Sequence, residues 1–447
     1  MGDSIADSHQ WSFMSTAHSP TQSPSSGRRN KAGSLLWLLL LTALLRGAAG
    51  WALAPQLAED PDSYGLIANN LVTRWSYSTS LPDQTPVPTA YRPPIYPWAL
   101  ACSSMLLGKT VSPLIVGSLH LALGIATVGL TWYLGQCWGL ARGATLAAFL
   151  TLCDPLLWYQ SSQVMTETLA TFLVVVGLVT LTRLSDRGNW QAACAAGAAL
   201  GLASLCRPPL LVWFLLSCGA CVALPVPRAR KLACLATMAL TGVLALAPWI
   251  IRNIIQFKRP IVATTHGGYT LHLANNPSFY HHLATAPWGQ IWNAQNLPPI
   301  ANTPVRPGPQ NPDPGVELNH DQLHYEAAWT AIGNEPRAFA WSCAVRLGRL
   351  WRLAPHQASA AESLPRRVLR WTVGLWYTGL FCLAVRGIWQ LKREVWTTAW
   401  MWGILLALAL TAVHTLYWSN VRMRAPVTPF LCLLAASGAT TLRATRK

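Results

Sequence analysis

Long apolar runs alternate with short polar connections along most of the chain, and two longer mixed segments interrupt the alternation. The runs lie at approximately 34–53, 112–135, 141–158, 164–182, 190–206, 208–224, 231–251, 368–388, 396–417 and 426–442. Each approaches the roughly 20 residues that a helix needs to cross a hydrocarbon core of about 30 Å. The pattern predicts an all-α polytopic membrane protein with about ten spans. The first run, Ser34–Leu53, follows Arg28, Arg29 and Lys31 and is long for a secretory signal, so it reads as a span. Residues 1–31 are rich in Ser, Pro, Gly and Thr and read as a disordered cytoplasmic tail, ahead of a membrane domain over 34–442.

Within the two mixed segments, 54–111 and 252–367, the period changes. Leu66, Ile67, Asn70 and Leu71 recur at helical spacing, which predicts a short amphipathic helix at the membrane surface. Pro93 and Pro94 mark the start of a second helix over Ile95–Leu107. Residues 297–315 are rich in Pro and Asn and read as a loop. Residues 318–353 have apolar helical periodicity, interrupted at Pro336.

Charge fixes an expected orientation. With the N-terminus in the cytoplasm, alternate connections collect the Lys and Arg: Arg142; Arg183 and Arg187; Arg228, Arg230 and Lys231; Arg386, Lys392 and Arg393; Arg443, Arg446 and Lys447. Both termini are then cytoplasmic, and the two mixed segments face outward from an inner, plasma-type membrane. Trp51, Trp98, Trp249, Trp371 and Trp418 sit near span ends, as interfacial belts require. The formal charge of +17 follows from topology; no basic run with interleaved aromatics points to nucleic acid. Cysteine usage adds no disulfide framework or zinc spacing, and the Cys218-x-x-Cys221 pair lies in an apolar run as packing.

Only 16 residues are Asp or Glu, so their placement is informative. Glu59, Asp60 and Asp62 crowd into four residues just beyond the first span. Mutual repulsion and burial beside a membrane raise carboxyl pKa values, which suits a general base; a solvated acidic helix start is the alternative. Glu167 and Asp154 lie within or at the edge of spans, where an ionisable group is costly unless paired. Glu167 reads as functional or as the partner of an Arg. Asp154, before Pro155, reads as functional or as a helix cap. On the outward side, Arg92, Arg207, Arg252, Arg422 and Arg424 break the positive-inside trend. Their planar donors match a lipid phosphate, and snorkelling to headgroups is the alternative for any one of them. His320 and His324 share a helix face, but the intervening Asp-Gln-Leu is no zincin motif and no third ligand is evident, so no metal is expected. His120 and His414 read as packed within spans. No Gly-rich phosphate loop points to a nucleotide donor.

In order along the chain these features resemble the GT-C polytopic glycosyltransferases. In particular they resemble the bacterial branch related to the dolichyl-phosphate-mannose protein mannosyltransferases and the lipid A aminoarabinose transferase. The resemblance runs over about 35–442. It is carried by Leu44-Leu45-Arg46 in the first span, Asp60-Pro-Asp-Ser-Tyr64 with Ala68-Asn-Asn-Leu71, Arg92-Pro-Pro-Ile-Tyr-Pro97 and Met165-Thr-Glu-Thr-Leu169. Further matches are Leu205-Cys-Arg-Pro208, Pro248-Trp-Ile-Ile-Arg-Asn253, Gly267, Asn275-Asn-Pro277, Asn334-Glu-Pro336 and Arg422-Met-Arg-Ala-Pro-Val-Thr-Pro429.

The resemblance implies an inverting glycosyltransferase acting at the outer face. Its donor would be a polyprenyl-phosphate sugar, its acceptor a glycan, lipid or protein hydroxyl, and membrane lipids its surroundings; no cofactor is implied. Asp60 matches the family's first-loop carboxylate, with Asp62 as the alternative because Pro61 replaces the acid often found beside it. Glu167 is a second candidate catalytic residue. Tyr64, Arg92, Tyr96, Arg207, Arg252, Arg422 and Arg424 are candidates for the donor phosphate or substrate. A transporter or flippase is the rival reading, but it predicts paired halves with broken helices at the midplane.

Overall fold

The computed structural model describes residues 25–108, 110–287, 290–300, 314–357, 362–397 and 399–440, with side chains from residue 33. The expected tail over 1–24 and most of the 297–315 loop lie outside these residues. The described chain is nearly all helix. α1 (Ser25–Ala52) leads through a 3₁₀ turn at Ala54–Ala58 to α2 (Tyr64–Arg74) and α3 (Ile95–Leu106). A bundle follows: α4 (Pro113–Cys137), α5 (Arg142–Cys153), α6 (Pro155–Ser161), α7 (Glu167–Arg187), α8 (Trp190–Cys206), α9 (Leu210–Ala220) and α10 (Arg228–Phe257). The second mixed segment holds α11 (Gly267–Ala274), α12 (Pro277–Thr285), α13 (Pro314–Asn334) and α14 (Pro336–Leu350). The chain closes with α15 (Leu364–Leu391), α16 (Glu394–Thr397), α17 (Trp400–Leu416), a 3₁₀ turn at Val421–Val427 and α18 (Thr428–Ala439).

Five described helices are long and apolar enough to cross a membrane: Gly33–Ala52 of α1, α4, α7, α10 and α15. The other expected spans are apolar but shorter helices. Two of the long helices present apolar faces suited to lipid contact: Leu36, Trp37, Leu40, Leu44 and Trp51 of α1 and Leu364, Val368, Leu369, Trp371 and Leu375 of α15 are exposed. Without a hydrophobic force between helices in lipid, close backbone approach must supply the packing. Gly197 of α8 meets α10 so closely that a Cβ would lie 2.2 Å from Met238 O. Gly438 of α18 stands in the same relation to Leu383 O of α15, at 2.0 Å.

The expected run 141–158 is broken. Pro155 lacks an N–H and clashes with a preceding helical turn, so α5 ends and α6 begins at Asp154. Asp154 caps α6 by accepting the Leu157 N–H at 3.0 Å, and both its oxygens lie 3.0 Å from the Tyr377 hydroxyl of α15. α1 starts at Ser25, ahead of the expected Ser34, and so takes in the end of the expected tail.

The two mixed segments are stapled together. Buried Glu317 of α13 accepts from the Thr89 hydroxyl at 2.7 Å, the Ala90 N–H at 2.9 Å and the Thr265 hydroxyl. Arg252 donates to Thr89 O and Asn253 Oδ1, both at 2.8 Å, and to Tyr77 O at 3.2 Å. The irregular stretch after α2 is held by Asn70, whose amide donates to Ser78 O and Ser80 O at 2.8 and 2.9 Å.

Candidate active site

The turn between the 3₁₀ segment and α2 places Asp60 over the first turn of that helix. Ser63 adopts a left-handed conformation (φ 61°), which reverses the chain so that Asp60 Oδ2 accepts the Leu66 N–H at 2.9 Å. Gly65 leaves the room: a Cβ there would stand 3.2 Å from Asp60 Oδ2. The carboxylate thus occupies the positive end of α2, over the N–H groups of Tyr64, Gly65 and Leu66. Its second oxygen, Oδ1, is buried with no hydrogen-bond partner in the described structure. Burial pushes the Asp60 carboxyl above its ordinary range, and the N–H groups of Leu66, Gly65 and Tyr64 pull the other way without cancelling it.

Two residues on, Asp62 is engaged differently. Arg92 Nη2 lies 2.5 Å from Asp62 Oδ1, and Arg92 Nε donates to Asp62 O at 3.0 Å. The Arg92 guanidinium also rests on the Tyr91 and Tyr64 rings, at 4.6 and 5.4 Å. Tyr64 packs edge-on against Tyr96 at 5.2 Å, and the Tyr96 hydroxyl meets His120 Nε2 at 3.0 Å.

Glu167 is the first residue of α7, where a helix dipole favours an anion. It is 2% exposed and faces two arginines: Arg207 Nη1 lies 3.1 Å and Arg422 Nε 3.0 Å from the same oxygen, Oε1. These are charge contacts by distance, without aligned N–H bonds, and Oε2 has no hydrogen-bond partner. Pro208 disfavours helical backbone at Arg207, which ends α8 and turns the side chain to Glu167. Asn420 accepts the Arg422 N–H at 2.9 Å and starts the turn that carries it. One carboxylate between two guanidinium groups leaves a net positive charge. Tyr64 feels the charges of Arg92, Asp62, Glu167 and Arg207 together, so the acidic turn and the Glu167 cluster form one neighbourhood.

Eight expected site residues meet here: Asp60, Asp62, Tyr64, Arg92, Tyr96, Glu167, Arg207 and Arg422. Two do not. Arg252 is spent on the staple described above and on the rings of Trp249, Phe257 and Tyr77, at 5.0 to 5.5 Å. Arg424 is 1% exposed, donates to Leu350 O and Arg352 O, and lies 4.1 Å over the Tyr377 ring beside Asp154. Sequence pattern marked these arginines as exceptions to the positive-inside trend but did not give their partners. His120, read from the sequence as packed core, also supports Tyr96, and its Nδ1–H donates to Ser161 O at 2.9 Å. His324 bridges His272 and His320, at 2.8 and 3.2 Å, through its two ring nitrogens.

Residues 91–251, which carry Arg92, Tyr96, His120, Glu167 and Arg207, match the family model for dolichyl-phosphate-mannose-protein mannosyltransferase. The chain resembles the GT-C glycosyltransferases. The oligosaccharyltransferase of Archaeoglobus fulgidus, solved tethered to an acceptor peptide, is 15% identical with a TM-score of 0.47, over 90% of this chain and 49% of its own. The chain thus spans about half the length of that protein. ArnT of Cupriavidus metallidurans, solved bound to undecaprenyl phosphate, is 14% identical with a TM-score of 0.41, over 90% of this chain and 77% of its own. No curated protein sequence matches the chain.

Proposed function

We propose that the protein is an inverting glycosyltransferase that moves a sugar from a polyprenyl-phosphate donor to an acceptor hydroxyl at the outer face of the membrane. The observation that carries this reading is the buried, unpaired Oδ1 of Asp60 beside a cationic Glu167–Arg207–Arg422 cluster. The match to a family described by a dolichyl-phosphate-linked donor supports the donor class.

In this mechanism the acceptor hydroxyl oxygen attacks the anomeric carbon and its proton passes to Asp60. The bond from the anomeric carbon to the phosphate oxygen breaks, and the electron pair leaves with polyprenyl phosphate. A base must lie within hydrogen-bond reach of the proton it takes, and Asp60 has an oxygen free for that contact. Arg207 and Arg422 stabilise the charge that grows on the leaving phosphate. Glu167 holds the two guanidinium groups together while leaving them net positive. Tyr64 and Tyr96 pack together beside the acidic turn, and Asp62 fixes Arg92 against Tyr64. The 54–111 segment is the catalytic loop, and the 252–367 segment covers it through the Glu317 staple.

The test is direct. The purified full chain in lipid nanodiscs is offered labelled polyprenyl-phosphate sugars and an extract of envelope acceptors. Release of free polyprenyl phosphate together with a labelled acceptor supports the reading. Movement of the intact lipid-linked sugar between leaflets, with no transfer, would favour a flippase instead.

A further inference from the structure

The proposed mechanism leaves one buried side chain beside the cationic cluster unused. His414 stands in the last turn of α17 and is 4% exposed. Its Nδ1 lies 3.3 Å from Trp418 O. A carbonyl oxygen can only accept, so Nδ1 carries the proton, and Nε2 of the neutral ring is an acceptor. That nitrogen is buried and has no hydrogen-bond partner among the described residues. The Nδ1 contact fastens the chain beyond α17 to its last turn, and a structural histidine needs no more than that. It gives no reason for an acceptor buried at the other edge of the ring, where polar groups are almost always satisfied.

α17 packs against α7, α9 and the turn that carries Arg422. His414 accordingly feels the charges of Arg207 and Arg422, the two arginines that face Glu167. Ser419, one residue after the carbonyl that holds the ring, also has its hydroxyl buried without a partner among the described residues. The neighbourhood therefore offers groups of both kinds. Arg207 and Arg422 supply donors, whereas Glu167 Oε2 and His414 Nε2 are acceptors without a donor. A fully ionised phosphate brings only acceptor oxygens. It engages the arginines and leaves both of those acceptors as they are. The matching ligand carries hydroxyl donors close to its phosphate. Arg422, a third exposed, is the open side of the cluster.

We propose that His414 is a specificity-determining residue, whose Nε2 accepts a hydrogen bond from a hydroxyl of the transferred sugar beside the phosphate held by Arg207 and Arg422. The assignment rests on the glycosyl-transfer reading and goes beyond it by naming a contact to the sugar itself. Such a contact discriminates strongly. A donor lipid that lacks the hydroxyl leaves a buried acceptor unsatisfied, which costs more than the loss of an exposed hydrogen bond. The contact is one of binding only: no covalent bond forms or breaks at His414, and Asp60 remains the base.

The two edges of the ring are tested apart. His414→Asn keeps a donor in reach of Trp418 O and removes the acceptor at the Nε2 position. His414→Gln carries its amide oxygen out to that position and gives up the Trp418 contact. The full chain and both variants in lipid nanodiscs are titrated with citronellyl phosphate and with citronellyl phosphate esterified to mannose, glucose or galactose. In the unaltered chain at least one sugar-bearing probe should bind about tenfold more tightly than the bare phosphate. His414→Asn should lose that margin while keeping its affinity for citronellyl phosphate, and His414→Gln should retain most of it. His414→Phe, which keeps a ring and drops both nitrogens, decides the matter if His414→Asn does not fold. A purely structural histidine predicts another pattern: an unchanged margin in His414→Asn, or equal weakening of every probe in step with lost thermal stability. Either result overturns the assignment. If the unaltered chain binds the bare phosphate and no sugar-bearing probe more tightly, the assignment fails while phosphate binding stands. If it binds none of the probes, the glycosyl-transfer reading fails with it.

Discussion

Two buried acidic clusters of this protein have similar components and opposite bookkeeping. Asp154 stands among Tyr377, Arg424 and Arg46, and both its oxygens are within hydrogen-bond distance of the Tyr377 hydroxyl. Arg424 donates through Nη1 to two backbone carbonyls, while its Nε is buried without a partner. Glu167 stands between Arg207 and Arg422, with one oxygen unpaired and one of its arginines a third exposed. In the first cluster both carboxylate oxygens are engaged, and it joins α5, α6, α15 and the turn before α18. The second is open, lies next to the Asp60 turn and keeps capacity for an anion. Burial and charge alone do not separate a structural carboxylate from one in a binding site; a carboxylate oxygen left without a donor does.

That contrast can be broken by substitution. The largest effect should come from removing the open cluster's cations. Arg207→Ala with Arg422→Ala is expected to lower transfer by about 10² to 10³-fold, the size seen when positioned charge stabilisation is lost. The substitution also leaves buried Glu167 without a counter-charge and should lower thermal stability, so the assay is turnover per folded molecule. Equal loss from the Asp154 cluster would erase the distinction. There, Tyr377→Phe leaves Asp154 short of a donor, and a destabilisation of about 1–3 kcal/mol is expected. Turnover per folded molecule should be near that of the unaltered chain, as read by denaturant titration beside the transfer assay.

The smallest effect concerns the second mixed segment. Burial, with Glu317 nearby, raises the Asp321 carboxyl from 3.8 to about 6, against the Gly268 N–H that lowers it. The folded state holds this proton more tightly than the unfolded chain. The stabilisation is therefore full below about pH 4 and is lost as pH rises through about 6. Asp321→Asn should flatten that part of the stability profile. An unchanged slope in the variant would assign it to other groups.

Much of the architecture was legible. Apolar runs marked the helices because a membrane demands length and low charge, and Pro93-Pro94 and Pro336 marked starts that a missing N–H imposes. The acidic turn, Glu167 and Arg207 were legible as candidates because an ionisable group beside a span needs a reason. The break at Asp154 was only half legible: the apolar pattern runs through 141–158, and the partner that makes Asp154 a cap, Tyr377, lies over 200 residues away. The same holds for Arg252 and Arg424. Their place near span ends is local, whereas the carbonyls and rings that occupy them come from distant segments. Glu317 passed as one of several acids in a polar segment because its partners Thr89, Ala90 and Thr265 are brought to it only by folding. The ion pair that separates Asp62 from Asp60 depends on Arg92, 30 residues on.

The central claim is that the unpaired oxygen of Asp60 takes the acceptor's proton. It is tested by measuring turnover of Asp60→Asn at saturating polyprenyl-phosphate sugar, with donor binding measured in the same nanodisc sample and Asp62→Asn as the parallel variant. Asp60→Asn should lose about 10² to 10⁴-fold in turnover, as expected for a general base. Its donor binding and thermal stability should be kept, while Asp62→Asn retains measurable turnover with weakened binding. Near-normal turnover in Asp60→Asn, with the loss falling on Asp62→Asn instead, would contradict the account.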